Sequence, residues 1–338
     1  MKYAFRERKK GIEICRCFGE GGSVVIPGEI DGKPVYRLAD HIFAGNGPDL
    51  EDCFWAEEQL TFTGEQPLAR KTDDGKCMDP GPEISTGVKE ISFPPSVREI
   101  GSYAFYGCEQ LKRIVLPGSL RRLESGIFTA CNHIERVCFY SEGEERETPS
   151  VLREILLELD YEVTVCLMNG GKERREYARL LFPGFYEDSI ENTPARIIEI
   201  RYEGTGYAYR QCFQRGKIDY QQYDSQFYLA SVQETPRTAA EVAMGRLAFP
   251  CSLSSPHKEQ YLRFLTEHDD VCAELVLDSE EDVEFIMLLC RENYFSEERF
   301  DAWLEQCIRK GDARLSGILM EERRKRFPVE NKKKTYLF

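Results

Sequence analysis

Long apolar runs are missing from this sequence of 338 residues. No segment approaches the roughly 18 uninterrupted apolar residues that a membrane-spanning helix needs. The N-terminus, MKYAFRERKKGIEICRC, is basic but is not followed by an apolar stretch of the length found in secretory signals. The chain as written is therefore expected to have no membrane span and to be cytoplasmic. If a leader was removed before this N-terminus, the protein would instead be secreted or lie on the cell surface.

Histidine is scarce, and the usual metal-binding patterns are absent. The chain has four histidines and 13 cysteines, with no CxxC pair and no Cys/His cluster of zinc spacing. Cys15 and Cys17 form a CxC that has no second pair to complete a site. Other cysteines occupy positions where a repeat or a helix face needs a small apolar group: Cys108, Cys131, Cys290 and Cys307. The sequence therefore predicts reduced core cysteines, no metal and no cofactor.

Net positive charge is also lacking. The formal net charge is -14, from 45 basic and 59 acidic side chains, and this repels a phosphate backbone. Nucleic acid is therefore not expected as a partner. The basic runs lie at residues 6–10, 323–326 and 332–334, near the termini. Solvated segments are the usual interpretation of such runs, and contact with a polyanion is the alternative. Residues 329–338 are assigned as a basic tail.

Recognisable catalytic motifs are missing as well. The sequence contains no HExxH, GxSxG, P-loop or protein-kinase signature. Gly204 and Gly206 follow a predicted strand, but Tyr209 stands where a dinucleotide-binding loop has its third glycine. The segment is therefore interpreted as a turn. We expect no catalytic residue and no small-molecule ligand, and an enzyme or regulator with a site in residues 150–235 remains the alternative from another class.

The sequence does contain a repeat of 23 residues, marked by Val88, Leu111 and Ile134. Its copies share an apolar pair two residues apart, then a proline, and later a phenylalanine and a cysteine: Ile91, Phe93, Pro94, Phe105 and Cys108 in one copy, Ile114, Leu116, Pro117, Phe128 and Cys131 in the next. The pair predicts a very short strand with both side chains inward, which the proline ends. One such coil cannot bury its own apolar face, so the repeat predicts a stack of coils.

An earlier copy of the pattern occupies residues 21–46, GGSVVIPGEIDGKPVYRLADHIFAGN. A further, degenerate coil is expected to begin at Leu50 with LEDCFW. Residues 64–87 break the register and are rich in glycine, proline and charge, which predicts a surface loop inserted in that coil.

The segments VKEISFPPSVREIGSYAFYGCEQ and LKRIVLPGSLRRLESGIFTACNH resemble the BspA-like leucine-rich repeat family of bacterial proteins. The segment IPGEIDGKPVYRL is similar to the first repeat of that family. The resemblance covers about residues 11–140. It implies a right-handed superhelix used for adhesion or for protein contact. Many members look secreted or surface-bound, whereas this chain shows no export signal.

The outward residues of the short strands form a candidate binding face. Side chains alternate along a strand, so the residues between and before each inward pair face outward on one side of the stack. Two columns result, one partly apolar and one partly basic. The predicted face comprises Val25, Glu90, Ser92, Arg113, Val115, Arg136 and Cys138. It would suit an acidic or mixed peptide surface, although strand propensity and solubility explain the same residue types.

Beyond the polar passage SEGEERETPS the 23-residue period disappears, and residues 150–235 are assigned as a mixed α/β connecting region. A helix, a strand near residues 163–167, a Gly-Gly turn, a second helix, and a strand followed by a helix are predicted there. Tyrosines and arginines crowd its end, which favours either inward packing or an exposed second patch. The candidate patch comprises Tyr207, Tyr209, Arg210, Tyr220 and Tyr223.

Residues 236–328 show apolar side chains at helical spacing, separated by short polar loops. This pattern predicts helices that stack as antiparallel neighbours, with a weak resemblance to an ankyrin-like array that lacks the TPLHxA signature. The array would supply a second contact surface or would merely cap the repeat stack.

The predicted fold class is α+β, a leucine-rich-repeat solenoid of short strands followed by a mainly α-helical domain. The predicted function is noncatalytic protein binding. A surface adhesin whose leader was removed is the alternative within the same class.

Overall fold

The computed structural model describes residues 1–45, 47–59, 68–72, 81–84, 87–141, 143, 148–170, 174–192, 197–279 and 281–328. The chain divides into two compact units, called here the solenoid unit and the helical unit. The solenoid unit comprises residues 1–234 and 249–252, and the helical unit comprises residues 235–248 and 253–338.

The solenoid unit contains 18 strands and four short helices among its described residues. The strands are β1 (Lys2–Arg8), β2 (Gly11–Phe18), β3 (Ser23–Val25), β4 (Glu29–Ile30), β5 (Lys33–Leu38), β6 (Phe54–Gln59), β7 (Leu68–Lys71), β8 (Glu90–Ser92), β9 (Glu99–Ile100), β10 (Arg113–Pro117), β11 (Arg122–Leu123), β12 (Arg136–Tyr140), β13 (Val163–Met168), β14 (Glu176–Phe182), β15 (Tyr186–Asn192), β16 (Ile197–Glu203), β17 (Phe213–Gln214) and β18 (Lys217–Ile218). The helices are α1 (Leu152–Glu158), α2 (Gly206–Arg210), α3 (Tyr220–Ser225) and α4 (Phe227–Gln233).

The repeats form a parallel sheet in the order β3, β8, β10, β12, β13, with β14 added antiparallel at the end. The inward apolar residues are in register from strand to strand and are fully buried: Val24, Ile91, Ile114, Val137 and Val165. Behind the sheet, Phe43, Phe105 and Phe128 stack with ring centroids 5.5 and 5.6 Å apart. The predicted solenoid and the overall fold class are confirmed.

The sheet does not end with the regular repeat. Strand β13 pairs in parallel with β12, and Val137 faces Val165, a spacing of 28 positions instead of 23. The longer coil includes helix α1, which is why its period is invisible in the sequence. The strand predicted near residues 163–167 is confirmed.

The helix predicted after the Gly-Gly turn is wrong, because residues 176–182 form the edge strand β14. Six of its seven residues are buried. A strand buried on both faces has no alternating pattern and cannot be distinguished from a buried helix by periodicity.

The N-terminal strands β1 and β2 belong to a second sheet of eight strands, in the order β11, β9, β5, β2, β1, β6, β7, β4. Strand β1 pairs antiparallel with both β2 and β6, so the segment beginning at Leu50 contributes to this sheet and is not the degenerate coil that was predicted. Of the loop predicted at residues 64–87, residues 68–71 form β7, and residues 64–67, 73–80, 85 and 86 lie outside the described residues.

Buried Arg16 joins this N-terminal sheet to the first coil. Its Nη1 donates to the carbonyl oxygens of His41, Ile42 and Ala44 at 3.1, 2.7 and 2.7 Å. Its Nε lies 2.6 Å from a carboxylate oxygen of Glu83. A Cβ at Gly47 would approach the guanidinium carbon to 1.8 Å, so glycine is required where the chain crosses this group.

The helical unit contains six helices in its described part: α5 (Pro236–Ala248), α6 (Ser255–Glu267), α7 (Asp269–Leu277), α8 (Asp282–Arg291), α9 (Glu297–Lys310) and α10 (Ala313–Arg326). The expected dominance of helices in the C-terminal region is confirmed. Helix α5 packs against α6, α7 and α8 and has nine buried residues out of 13, so it is the central helix of this unit. A strictly linear array would have placed α5 against its nearest neighbours alone.

Of the 13 cysteines, 12 lie in the described part of the chain, and all 12 are free thiols. Eleven of these are buried, and Cys251 is partly exposed. The expectation of mostly buried cysteines is confirmed for these residues. Among the described residues no helix has the length and apolar character needed to cross a bilayer.

Candidate protein-binding face

The strand register brings the predicted face residues together in two columns. The charged column contains Ser23, Glu90, Arg113, Arg136 and Thr164. The apolar column contains Val25, Ser92, Val115, Cys138 and Cys166. Neighbouring strands lie about 4.8 Å apart, so each column extends over roughly 19 Å. The last member of each, Thr164 and Cys166, was missed in the sequence because β13 departs from the 23-residue period.

The two columns differ in accessibility. Arg113 and Arg136 are exposed, and Glu90 is half-buried. In the apolar column Val25 is 39% exposed, but Val115 and Cys138 are only 5% and 2% exposed. The expectation that Val115 and Cys138 face solvent is therefore wrong. Only the charged column and the β3–β8 end of the apolar column, Val25 and Ser92, are open to a partner.

A third column explains this burial. Tyr140 and Met168 are in register with each other, and both pack with Val115, Cys138 and Cys166 in one apolar cluster. The Tyr140 hydroxyl donates to the Phe93 carbonyl oxygen at 2.6 Å, which holds the ring across the sheet. The sequence did contain a feature that could have predicted this burial: tyrosine replaces the repeat proline at position 140. A large ring at this position covers the neighbouring apolar column.

The Arg113 side chain connects the two columns electrostatically. Its Nη1 lies 3.5 Å from a carboxylate oxygen of Glu90. Burial lowers the pKa of Arg113, but the Cys138 thiol, hydrogen-bonded to the guanidinium, and the Glu90 carboxylate outweigh this and raise it. A hydrogen bond with Cys166 and the nearby Arg113 lower the pKa of Cys138 below that of a free thiol, against the opposing effect of burial. Arg113 is thus held in place, with part of its charge already balanced.

Arg136 occupies the adjacent position of the same column and is exposed. Within the described part of the chain it has no carboxylate within ion-pair distance. An exposed guanidinium on a rigid strand can pair with a carboxylate in a bidentate geometry. Arg136 therefore adds an exposed guanidinium to the charged column.

The second predicted patch is mostly internal. Tyr209, Arg210 and Tyr223 are fully buried, so they cannot belong to an exposed patch. The Tyr209 and Tyr223 rings meet edge to face with centroids 4.7 Å apart, and the Tyr223 hydroxyl donates to the Leu181 carbonyl oxygen at 2.6 Å. Inward packing is the correct interpretation for these residues. Tyr207 and Tyr220 are half-buried and keep some surface.

Arg210 is a structural centre of this region. Its guanidinium donates to the carbonyl oxygens of Leu156, Leu159, Tyr161, Pro183 and Gly206 at 2.5–3.0 Å. These carbonyls include two from the C-terminal end of α1, which lack partners within that helix. Burial lowers the pKa of Arg210 to about 10, so the side chain remains cationic at neutral pH. The charge is stabilised by backbone dipoles, and no carboxylate contacts it among its described hydrogen-bond partners.

Cys212 is a buried thiol within residues 150–235. Burial raises the pKa of Cys212 to about 12, so its thiol is protonated and weakly nucleophilic at neutral pH. Among the described residues no group of three His, Cys, Asp or Glu side chains has the geometry of a metal site.

Stacked coils with in-register inward residues and a face of short parallel strands define a leucine-rich-repeat solenoid. Residues 84–148 match a family model described as a BspA type leucine-rich repeat region of six copies. Residues 84–148 are therefore a leucine-rich repeat region of the BspA type, as the resemblance implied.

Two solved structures are similar to this chain. One is a leucine-rich cell surface protein from Faecalibacterium prausnitzii A2-165, with 16% identity over 40% of this chain and 35% of that chain, and a TM-score of 0.24. The other is a leucine-rich repeat protein of T. pallidum, with 24% identity over 44% of this chain and 69% of that chain, and a TM-score of 0.18. This chain thus spans about a third of the length of the first protein. No curated protein matches this sequence.

Proposed function

We propose that this protein is a noncatalytic interaction module that binds another protein on the charged column of its repeat sheet. The observation that carries the proposal is the exposed, in-register pair Arg113 and Arg136 on adjacent parallel strands. The strands are held by the buried core behind them, so the backbone positions of the two arginines are fixed before a partner arrives. Preorganisation of this kind reduces the entropy lost on binding.

The chemistry of the face favours an acidic or mixed peptide surface. Arg136 offers a cation that no described carboxylate balances, and Arg113 offers a partly balanced one. Val25 and Ser92 add a small apolar and polar area beside them. Leucine-rich repeats of this type serve protein contact, which agrees with a carboxylate-bearing protein as the ligand. The same face would serve an adhesin at the cell surface, so the location of the protein does not change the binding chemistry.

The test is a capture experiment with charge-reversed variants. The full chain is immobilised and exposed in parallel to cell lysate and to extracellular matrix proteins, and the retained proteins are identified by mass spectrometry. The double variant Arg113→Glu with Arg136→Glu is compared with a control that reverses two other exposed arginines, Arg121→Glu with Arg263→Glu.

We expect the face variant to weaken binding of the captured partner by about tenfold or more, because like charges then oppose each other across the contact. The control should leave binding within about twofold. Equal retention by both variants would remove this face from the binding site. Partners found only in the matrix arm would assign the adhesin role, and partners found only in lysate would assign an intracellular one.

A further inference from the structure

Strands β15 and β16 form a ribbon that belongs to neither larger sheet. Their seven residue pairs run from Tyr186 opposite Glu203 to Asn192 opposite Ile197 without a bulge. Within the described part of the chain, no third strand pairs with either of them. A two-stranded ribbon alone is marginally stable in water, so this one needs support from elsewhere.

The support lies at the base of the ribbon. Tyr202 of β16 stacks on Tyr207 of α2 with ring centroids 3.6 Å apart and an interplanar angle of 5°. Phe185 meets both rings, at 6.0 and 5.8 Å. A Cβ at Gly206 would lie 2.1 Å from the Pro183 carbonyl oxygen, so glycine allows the close approach of the two segments that flank the ribbon. The ribbon therefore has a packed base formed by Phe185, Tyr202 and Tyr207 of the solenoid unit.

The outer edge of β15 has the properties of an unprotected strand. An edge strand presents unpaired N–H and C=O groups, and proteins usually protect such an edge with lysine, proline, a bulge or a short strand. The sequence of β15, YEDSIEN, contains no lysine and no proline and is seven residues long. Its carboxylates hinder self-association of the ribbon, because two copies would bring like charges together.

Charge and exposure indicate what kind of segment this edge would accept. Among the residues whose side chains are described, the two strands carry three carboxylates and one arginine: Glu187, Asp188, Glu203 and Arg201. Large apolar side chains are exposed beside them: Tyr186 at 66%, Ile200 at 51% and Tyr202 at 38%. Carboxylates attract lysine and arginine, and an exposed tyrosine ring accepts a cation over its face. An anionic ligand, such as nucleic acid or an acidic membrane surface, would be repelled.

We propose that the edge of β15 binds an extended, basic peptide segment of another protein as a third strand. Main-chain hydrogen bonds to β15 would supply the affinity, and the selectivity would come from lysine or arginine side chains placed near Glu187 and Asp188. This site is separate from the charged column of the repeat sheet, which suits acidic groups. The molecule would then carry two binding surfaces of opposite preference.

The test uses the full chain and two synthetic peptides. The first is a fluorescein-labelled peptide of eight alternating Lys and Val residues, and the second is the same peptide with N-methyl groups on alternate backbone amides. Both carry the same charge, but the second cannot donate the hydrogen bonds of a β-ladder along its methylated edge. Binding is measured by fluorescence anisotropy at low and at moderate salt.

We expect the unmethylated peptide to bind and the methylated one to bind at least about tenfold more weakly. The variant Glu187→Gln with Asp188→Asn should weaken binding of the first peptide by about tenfold. The control Glu259→Gln with Glu305→Gln removes the same charge at exposed positions of the helical unit and should leave binding within about twofold.

Three results of the peptide measurements would overturn the proposal, and so would the dimer described below. The three results are no binding of the first peptide, equal binding of both peptides, and equal binding by the ribbon variant and its control. Equal binding of the peptides would mean charge attraction without strand addition. Size-exclusion chromatography with light scattering serves as a further check, because a dimer that the peptide cannot dissociate would assign the edge to a second copy of the chain. Loss of peptide binding leaves the proposed function of the repeat face untouched.

Discussion

In the solenoid unit, buried arginines donate hydrogen bonds to backbone carbonyl groups at turns and helix ends that are mostly far away in sequence. In the helical unit, the ends of helices α9 and α10 that meet at Gly311 and Asp312 are capped by residues next to them in sequence. Arg16 and Arg210 serve the first purpose. In the helical unit the Asp312 carboxylate accepts from the Leu315 amide at 2.9 Å, and Gly311 ends α9 with φ of 74°. The buried arginines of the solenoid unit thus act over a long sequence range, whereas these two helix caps act within four positions.

The same contrast holds for the backbone between coils. The Phe43 amide donates to the Ala104 carbonyl oxygen at 2.9 Å, and the Phe105 amide to that of Ile127 at 3.0 Å. Each coil therefore completes the hydrogen bonding of the next, as in other solenoids. A destabilising substitution in one coil should therefore lower the stability of the neighbouring coils. A substitution at a helix end should destabilise only that end.

The largest effect is expected for Arg210→Met. The change removes the donor for five backbone carbonyl groups that remain buried, and each unsatisfied polar group costs about 1–3 kcal/mol. We expect a loss of about 5 kcal/mol or more in the free energy of unfolding of the solenoid unit. Hydrogen exchange of amides in α1 and β13 provides the measurement, with the exposed Arg153→Met as control. Unchanged protection in both variants would contradict a structural role for Arg210.

A slightly smaller effect is expected for Phe105→Ala in the middle of the phenylalanine stack. Phe105 is fully buried between Phe43 and Phe128, so truncation leaves a cavity shared by three coils. We expect a loss of about 4 kcal/mol. Proteolysis and hydrogen exchange should show weakened protection in the coils on both sides. Loss of protection in one coil alone would contradict the view that neighbouring coils stabilise one another.

The smallest effect is expected for Asp312→Ala at the start of α10. The variant removes the side-chain acceptor of the Leu315 amide and should cost about 1 kcal/mol. Two measurements detect this change: the thermal unfolding of the helical unit and the hydrogen exchange of the α9 and α10 amides. The solenoid amides serve as the internal control, because their protection should be unchanged.

The repeat was the part of the fold that the sequence predicted best, because each coil restates the same apolar positions. Ile91, Ile114 and Val137 were placed in register from the sequence, and so was the charged pair Arg113 and Arg136. The repeat was not recognised where its spacing changed. Strand β13 was predicted as a strand but not as part of the repeat, although its residues pair with β12.

Exposure was the property that the sequence could not give. Val115 and Cys138 lie in predicted outward positions, yet Tyr140 and Met168 cover them. Tyr209, Arg210 and Tyr223 have the composition of a recognition patch, yet all three are internal. Residue type describes what a side chain can bind, and only its neighbours decide whether solvent or a partner reaches it.

The sequence by itself determined that the first part of the chain winds into stacked coils, because apolar residues recurring every 23 positions can be buried only in a stack. It also determined the charge and composition of the outward positions. Tertiary structure alone decided which of those positions remain open and which backbone carbonyls the buried arginines bind. It also decided that no third strand pairs with β15 in the part of the chain that the structure describes. These outcomes depend on pairing and packing between segments far apart in sequence, which no local pattern encodes.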